Sequence, residues 1–286
     1  MRFRRSPRKR VRSGISDRLH IRFHSWLRSR LGIERKSPVK ALGLAFHFLR
    51  YRTLLYLLKE VFVEEGYFFE ADNQSPVILD CGSNIGASVL YFKRLYPQAR
   101  VVAFEPFAPA FHTLRANVEA NRLANVTLHN VVLAESPGEA ELYFDPNHLG
   151  SLSMSVREGR IHGASQRVEA VRLSDYVDSP VDLLKMDIEG SEGAVLAELA
   201  ESGKLKMIKQ LIVEYHHHLQ PADNSLAEFL HLLQRNGFGY RVKAHYDAMA
   251  PKDRFQDVLI HAYSLSADAG GGAVHPGLKD GRKDLA

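Results

Sequence analysis

Two short stretches hold side chains that could move a proton. In LLKMDIEGSE, Lys185, Asp187 and Glu189 alternate at the end of an apolar run. In LIVEYHHH, Glu214 and His216 do the same. Alternate residues of a strand share a face, so each set projects from one side of its strand end. If the two strands are neighbours, Asp187 and His216 flank a single acceptor group. A hydroxyl acceptor is a weak nucleophile until a base or a metal relieves it of its proton. An imidazole titrates in the right range for that task. An aspartate can hold the hydroxyl or orient the imidazole. Asp187 and His216 are therefore the first catalytic candidates, with Glu189 third. Lys185 is expected to pair with Glu189 or Glu214, and Glu192 to begin or cap a helix. Adjacent histidines in a strand face opposite ways, which argues against structural zinc in HHH. Asp187, Glu189 and His216 could together hold a divalent ion. The metal-free reading ranks ahead of it, and no metal ligand is assigned.

A second constellation precedes these. PVILDCGSNIG is a short apolar run that ends in Asp80 and then Gly82, Asn84 and Gly86 at alternate positions. Glu105 closes the next apolar run, RVVAFEP. A glycine turn after a strand brings backbone amides of the following helix to a ligand. The spacing is not the GxGxxG of dinucleotide folds, and a carboxylate just before the turn would repel a pyrophosphate. A cationic ligand without phosphate fits better. S-adenosylmethionine has an ammonium, a sulfonium and a ribose, and Glu105 can accept two hydrogen bonds from a ribose diol. Asp80, Gly82, Asn84, Gly86 and Glu105 are thus the expected cofactor residues. Adenine contacts are expected around Leu133 to Ser136.

These residues need a scaffold that places strand ends side by side. From about Ser75 the chain alternates apolar runs with helical patterns, the mark of a parallel α/β sheet with helices on both faces. Ala87 to Tyr96 and Ala108 to Asn121 read as helices, as do Glu192 to Glu201 and Leu226 to Asn236. FGYRVKAH and QDVLIHAYS read as a final antiparallel pair. Asp17 to Leu31 and Val39 to Val63 read as helices upstream of the sheet, and Asn147 to Gln166 as a long loop. Val39 to Val63 and that loop are both lid candidates. The expected organisation is a basic disordered tail at 1–16, a helical extension at 17–67, the main domain at 68–264 and a disordered tail at 265–286. The chain has 286 residues, a net charge of +5 and one cysteine, which rules out an internal disulfide. The opening MRFRRSPRKRVRSG contains no acid. That tail could meet an anionic membrane or nucleic acid.

The motifs resemble those of FkbM-type methyltransferases, a branch of the class I S-adenosylmethionine-dependent enzymes. LDCGSNIG is similar to that family's D-x-G-A-N-x-G, with Ser83 where alanine is usual. FEP at Phe104 to Pro106 and VEYHH at Val213 to His217 resemble its neighbouring strand ends. LKMDIEGSEGAVL, Leu184 to Leu196, resembles its most distinctive segment. The likeness runs from about Phe68 to Ser264. It implies a Rossmann-like class I fold, a mostly parallel seven-stranded sheet with the last strand antiparallel. It also implies methyl transfer to a hydroxyl of a sugar, glycan or other small molecule, and suggests a role for Ser151 to Ser153. An RNA or protein acceptor, or a non-catalytic binding protein on the same fold, are the alternatives. A cytoplasmic location, with peripheral membrane contact through the basic tail, is the expectation that follows.

Overall fold

A computed structural model of the chain describes residues 35–146, 163–217, 225–244 and 256–268. The basic tail, the Asp17 to Leu31 segment, Ser151 to Ser153 with most of the 147–166 loop, and the chain after 268 lie outside the described residues.

The chain enters through a hairpin, β1 (Val39–Ala41) and β2 (Leu44–Phe46), paired antiparallel. The two residues that join them, Leu42 and Gly43, both have positive φ. That is the requirement of the tight hairpin turn whose twist matches its strands. The single helix expected over Val39 to Val63 is therefore corrected. Helix α1 starts only at Tyr51 (Tyr51–Leu57) and continues as a π-helical turn, Leu58–Val63.

The α/β pattern follows: β3 (Val77–Cys81), α2 (Ala87–Leu95), β4 (Arg100–Phe104), α3 (Ala108–Ala120) and β5 (Val126–His129). A small sheet is made by β6 (Val132–Leu133), β7 (Gly138–Phe144) and β8 (Ala164–Val171). Then come β9 (Leu183–Met186), α4 (Glu192–Glu201), β10 (Gln210–His217), α5 (Leu226–Arg235), β11 (Phe238–Ala244) and β12 (Gln256–Ser264). The main sheet has seven strands in the order β11-β12-β10-β9-β3-β4-β5. Its pairs are parallel except those of β12, which runs antiparallel to β10 and β11. This is the Rossmann-like α/β fold expected from the sequence, with the last strand reversed.

Successive residues of the inner strands serve opposite layers. Ile78, Val101, Ala103 and Leu183 pack with Leu54, Leu58, Phe62, Leu90 and Leu114, from α1, its π-turn, α2 and α3. Leu79, Val102, Leu184 and Met186 pack with Val195, Leu199, Phe229 and Leu233 from α4 and α5. Burial on both faces is why these strands read as continuous apolar runs rather than alternating ones. It also makes the exceptions informative. Lys185 sits inside β9, which is buried at every position.

The upstream hairpin is tied to this body by two side-chain amides, Asn117 of α3 and Asn121 just after it. Asn117 accepts from the His47 amide at 2.6 Å and donates to the His47 carbonyl at 3.0 Å. Asn121 accepts from Ala45 N at 2.9 Å and donates to Ala45 O at 2.8 Å. Each asparagine thus does what a neighbouring strand would do, and satisfies main-chain groups that burial would leave costly. Asn117 also donates to the Ile85 carbonyl at 2.7 Å, which links the hairpin to the turn after β3. No helix among the described residues is long and apolar enough to cross a membrane.

Candidate active site

Strand register brings the two constellations together. Asp80 of β3 lies opposite Lys185 of β9, and Cys81 lies opposite Phe104 of β4. Val213 of β10 lies opposite Met186, so Glu214 follows beside Asp187. The carboxyl ends of β4, β3, β9 and β10 therefore open into one cleft, of about 970 Å³ with the solvent at its mouth included. A crevice beyond the carboxyl ends of parallel strands is where open α/β sheets bind ligands.

One half of the cleft is formed by the turn after β3. Glu105 is buried, and its two oxygens accept from the Asn84 amide at 2.7 Å and the Phe107 amide at 2.9 Å. Burial pushes its carboxyl up to about 7, against the pull of those two amides. Glu105 lines the cleft, and a carboxylate with two donors has acceptor capacity left. Asn84 has a left-handed backbone, and its side-chain oxygen accepts from the Ile85 amide at 2.7 Å. Its side chain thus shapes the turn. Val131, Val132 and Leu133 add an apolar wall to the cleft, at the start of the stretch expected to meet adenine.

The glycines serve the protein's own packing. A Cβ on Gly82 would stand 1.7 Å from the carbonyl oxygen of Asp187. One on Gly86 would stand 2.5 Å from Leu114 of α3. Both residues also have positive φ. Gly82 lines the cleft, as do Ala87 and Ser88 at the start of α2, whereas Gly86 does not. Packing within the protein is thus a further demand for glycine at both positions. Gly82 lets the turn after β3 and the turn after β9 touch.

Asp80 is fully buried and does not line the cleft. Its Oδ2 accepts from Ser88 Oγ at 2.6 Å, and Oδ1 lies 3.4 Å from Lys185 Nζ. Lys185 does not pair with Glu189 or Glu214 as expected. It donates to the carbonyls of Gly82 (2.7 Å) and Cys81 (3.3 Å), and its Nζ is 3.7 Å from Asp187 Oδ2. Burial alone would lower its pKa. Asp80, Asp187 and Glu214 outweigh that and push it up to about 12. Lys185 thus joins the turn after β3 to Asp187.

The other half of the cleft is crowded with acids. Asp187, Glu189 and Glu214 line it, with Glu60 of the π-turn and Tyr56 of α1. His216 lies behind them, 7% exposed. Its Nδ1 is 2.7 Å from Glu192 Oε1, and its Nε2 is 3.3 Å from Glu189 Oε2, 3.7 Å from Asp187 Oδ1 and 3.9 Å from Asp257 Oδ1. Burial would lower the imidazole's pKa, but Glu192, Glu189 and Asp187 push it up to about 10. Those acids therefore favour the protonated ring, where the sequence reading started from an ordinary imidazole pKa. Glu192 opens α4 as expected and accepts from the Ile188 and Gly190 amides at 3.2 and 3.0 Å. Its carboxyl is held low: burial opposes this, but His216 and the backbone amides of Gly190 and Glu192 prevail. Glu60 is pushed up to about 7 by burial and by Asp187. Glu214 is pushed up by burial, Asp187 and Glu60.

Glu60, Lys185 and Glu192 complete what sequence reasoning had assembled in part. Glu60 had no local signal, since only the packing of α1 on the sheet brings it to the cleft. Lys185 and Glu192 stood inside the quoted motifs, and the apolar run around Lys185 was a sign that it must be paired.

The family model described as the Methyltransferase FkbM domain matches residues 80–242. Methyltransferase sdnD of Sordaria araneosa is 31% identical over 191 residues, covering 56% of this chain and 73% of that one. The 31-O-demethyl-FK506 methyltransferase FkbM of Streptomyces tacrolimicus is 27% identical over 248 residues, covering 75% and 90%. A crystal structure of methyltransferase FkbM from Methylobacillus flagellatus KT aligns with a TM-score of 0.44 and 18% identity, covering 74% of this chain and 54% of that one. The chain belongs to the FkbM methyltransferase family.

Proposed function

We propose that this FkbM-family methyltransferase uses S-adenosylmethionine to methylate a hydroxyl of a sugar, glycan or other small molecule. The observation that carries the reading is the single cleft that joins Glu105 and the Gly82–Asn84 turn to Asp187 and Glu214. Glu105 would take the ribose hydroxyls on the lone pairs its two amide donors leave open. The apolar wall at Val131 to Leu133 would cover the adenine. The sulfonium would then lie toward the acidic half, where negative charge favours it.

When bound, S-adenosylmethionine would supply an electrophilic methyl on a sulfonium that departs as a neutral thioether once the acceptor oxygen has taken the carbon. Asp187 would receive the acceptor's proton. Lys185 and His216, each 3.7 Å from one of its oxygens, would hold that carboxylate in place. Alignment and exclusion of water supply the rest of the acceleration. The FK506-related relative, whose name specifies an O-demethyl substrate, supports a hydroxyl acceptor.

Calorimetric titration with S-adenosylmethionine and S-adenosylhomocysteine tests the cofactor, with NAD as control. Saturable binding of the first two and none of NAD is expected. A folded protein that binds neither would overturn the reading. A labelled-methyl screen of sugars, glycans and small hydroxylated molecules then tests the acceptor class. Transfer confined to RNA or protein would move the assignment there.

A further inference from the structure

The acidic half of the cleft has a donor set that a proton relay does not require. One oxygen of Asp187, one of Glu214 and one ring nitrogen of His216 all lie within 4.8 Å of one another. Three such atoms from two neighbouring strand ends can converge on a common ion, and two carboxylates with an imidazole suit a hard or borderline divalent cation.

A second observation concerns the imidazole itself. Glu192, 1% exposed, is fixed by the Ile188 and Gly190 amides and engages His216 Nδ1 at 2.7 Å. That carboxylate sets the ring so that Nε2 is the nitrogen turned toward Asp187 and Glu189, which line the cleft. A carboxylate behind the far nitrogen is the usual support of a metal-binding histidine. A surface group of acids would have no such buried strut. The other groups facing Nε2 are Glu189 at 3.3 Å and Asp257 at 3.9 Å. Both are acids, so the charge they add also favours a cation.

We infer that Asp187, Glu214 and His216 form a divalent-cation site on the acceptor side of the cleft. The ion takes the place of the Nε2 proton, which leaves to solvent. Each carboxylate gives the ion one oxygen, and Asp187 keeps its second for the acceptor's proton. An acceptor hydroxyl that joins the ion becomes more acidic where the methyl must be received. This role in transfer rests on the methyltransferase reading; the cation site itself does not.

Mn²⁺ is the probe, added to the full chain after treatment with EDTA and dialysis. Loss of the free-ion electron-spin signal and calorimetry should agree on one saturable site per chain. Glu214→Gln and Asp187→Asn should each weaken that site, and Glu192→Gln should weaken it by about 10–100-fold. The exposed Glu228→Gln on α5 should not change it. Retained binding of S-adenosylhomocysteine by the variants shows that they are folded. Mn²⁺ should also broaden the proton resonances of bound S-adenosylhomocysteine, which requires the ion to be in the same cleft. Absence of saturable Mn²⁺ binding overturns the site, as does binding that Glu214→Gln and Asp187→Asn leave unchanged. S-adenosylhomocysteine binding without Mn²⁺ binding removes the ion and leaves the methyltransferase reading. Mn²⁺ binding without S-adenosylhomocysteine binding does the reverse.

Discussion

The two halves of the cleft handle carboxylates in opposite ways. Around the turn after β3, each acid has donors from its own neighbourhood. Asp80 has Ser88 and Lys185, and Glu105 has two backbone amides. At the ends of β9 and β10, Asp187, Glu189, Glu214, Glu60 and Asp257 gather around His216 and Lys185. Burial first, and then the neighbouring acids, raise Glu60 and Glu214, whereas burial raises Glu105 against its amide donors. A half whose acids are already partnered can be rigid before any ligand arrives. The acidic half favours positive charge; on the proposed reading that charge is a sulfonium, a proton or an ion.

The sharpest way to break this contrast is to change one member of the acidic half. Asp187→Asn should lower methyl transfer about 10²–10⁴-fold, the usual range for a positioned acid or base. S-adenosylhomocysteine affinity should hold. A parallel loss of both would put Asp187 in the cofactor half instead.

Next in size is the cation that joins the halves. Lys185→Met leaves Asp80 buried without its counter-charge and should cost about 3–5 kcal/mol in urea unfolding. Adding Asp80→Asn to that variant should recover part of the loss. Two independent, additive losses would mean that the pair is not the coupling.

Glu105→Ala should weaken S-adenosylhomocysteine binding by about 1–3 kcal/mol, the worth of hydrogen bonds to a charged group. An unchanged dissociation constant would take the ribose from Glu105. The smallest effect is in pH. Because Glu105 is raised to about 7, its charged form, the better acceptor of ribose hydroxyls, is lost as pH falls through that value. Affinity should therefore decline from pH 8 to pH 6, and Glu105→Gln should flatten the profile. A decline that persists in Glu105→Gln would assign the titration to another group.

Much of this arrangement was legible in the chain because it is local. The strand-ending acids, the glycine turn and the alternation of Asp187 with Glu189 are spacings within a few residues. The reversed last strand was implied by the family likeness. What was missed depends on distant packing. For His216 the sequence offered only the ordinary pKa of an imidazole. Its charge is set by Glu192 and by acids on other elements. The hairpin at Val39 to Phe46 read as helix because its turn is Leu-Gly rather than Asn-Gly, and short apolar runs do not separate helix from strand. Glu60 could not be found without α1 in place.

The two asparagine clamps have a consequence for anyone who would alter acceptor choice by exchanging segments between relatives. Residues 39–63 bring Glu60 and Tyr56 to the cleft, yet two of their main-chain anchors belong to Asn117 and Asn121, some seventy positions later. A cassette cut at the boundary of the matched domain would leave its lock behind in the host. Grafts that carry residues 39–63 together with both asparagines should transplant as a unit. Those that move the segment alone should lose the hairpin's docking, and with it the position of the acidic wall.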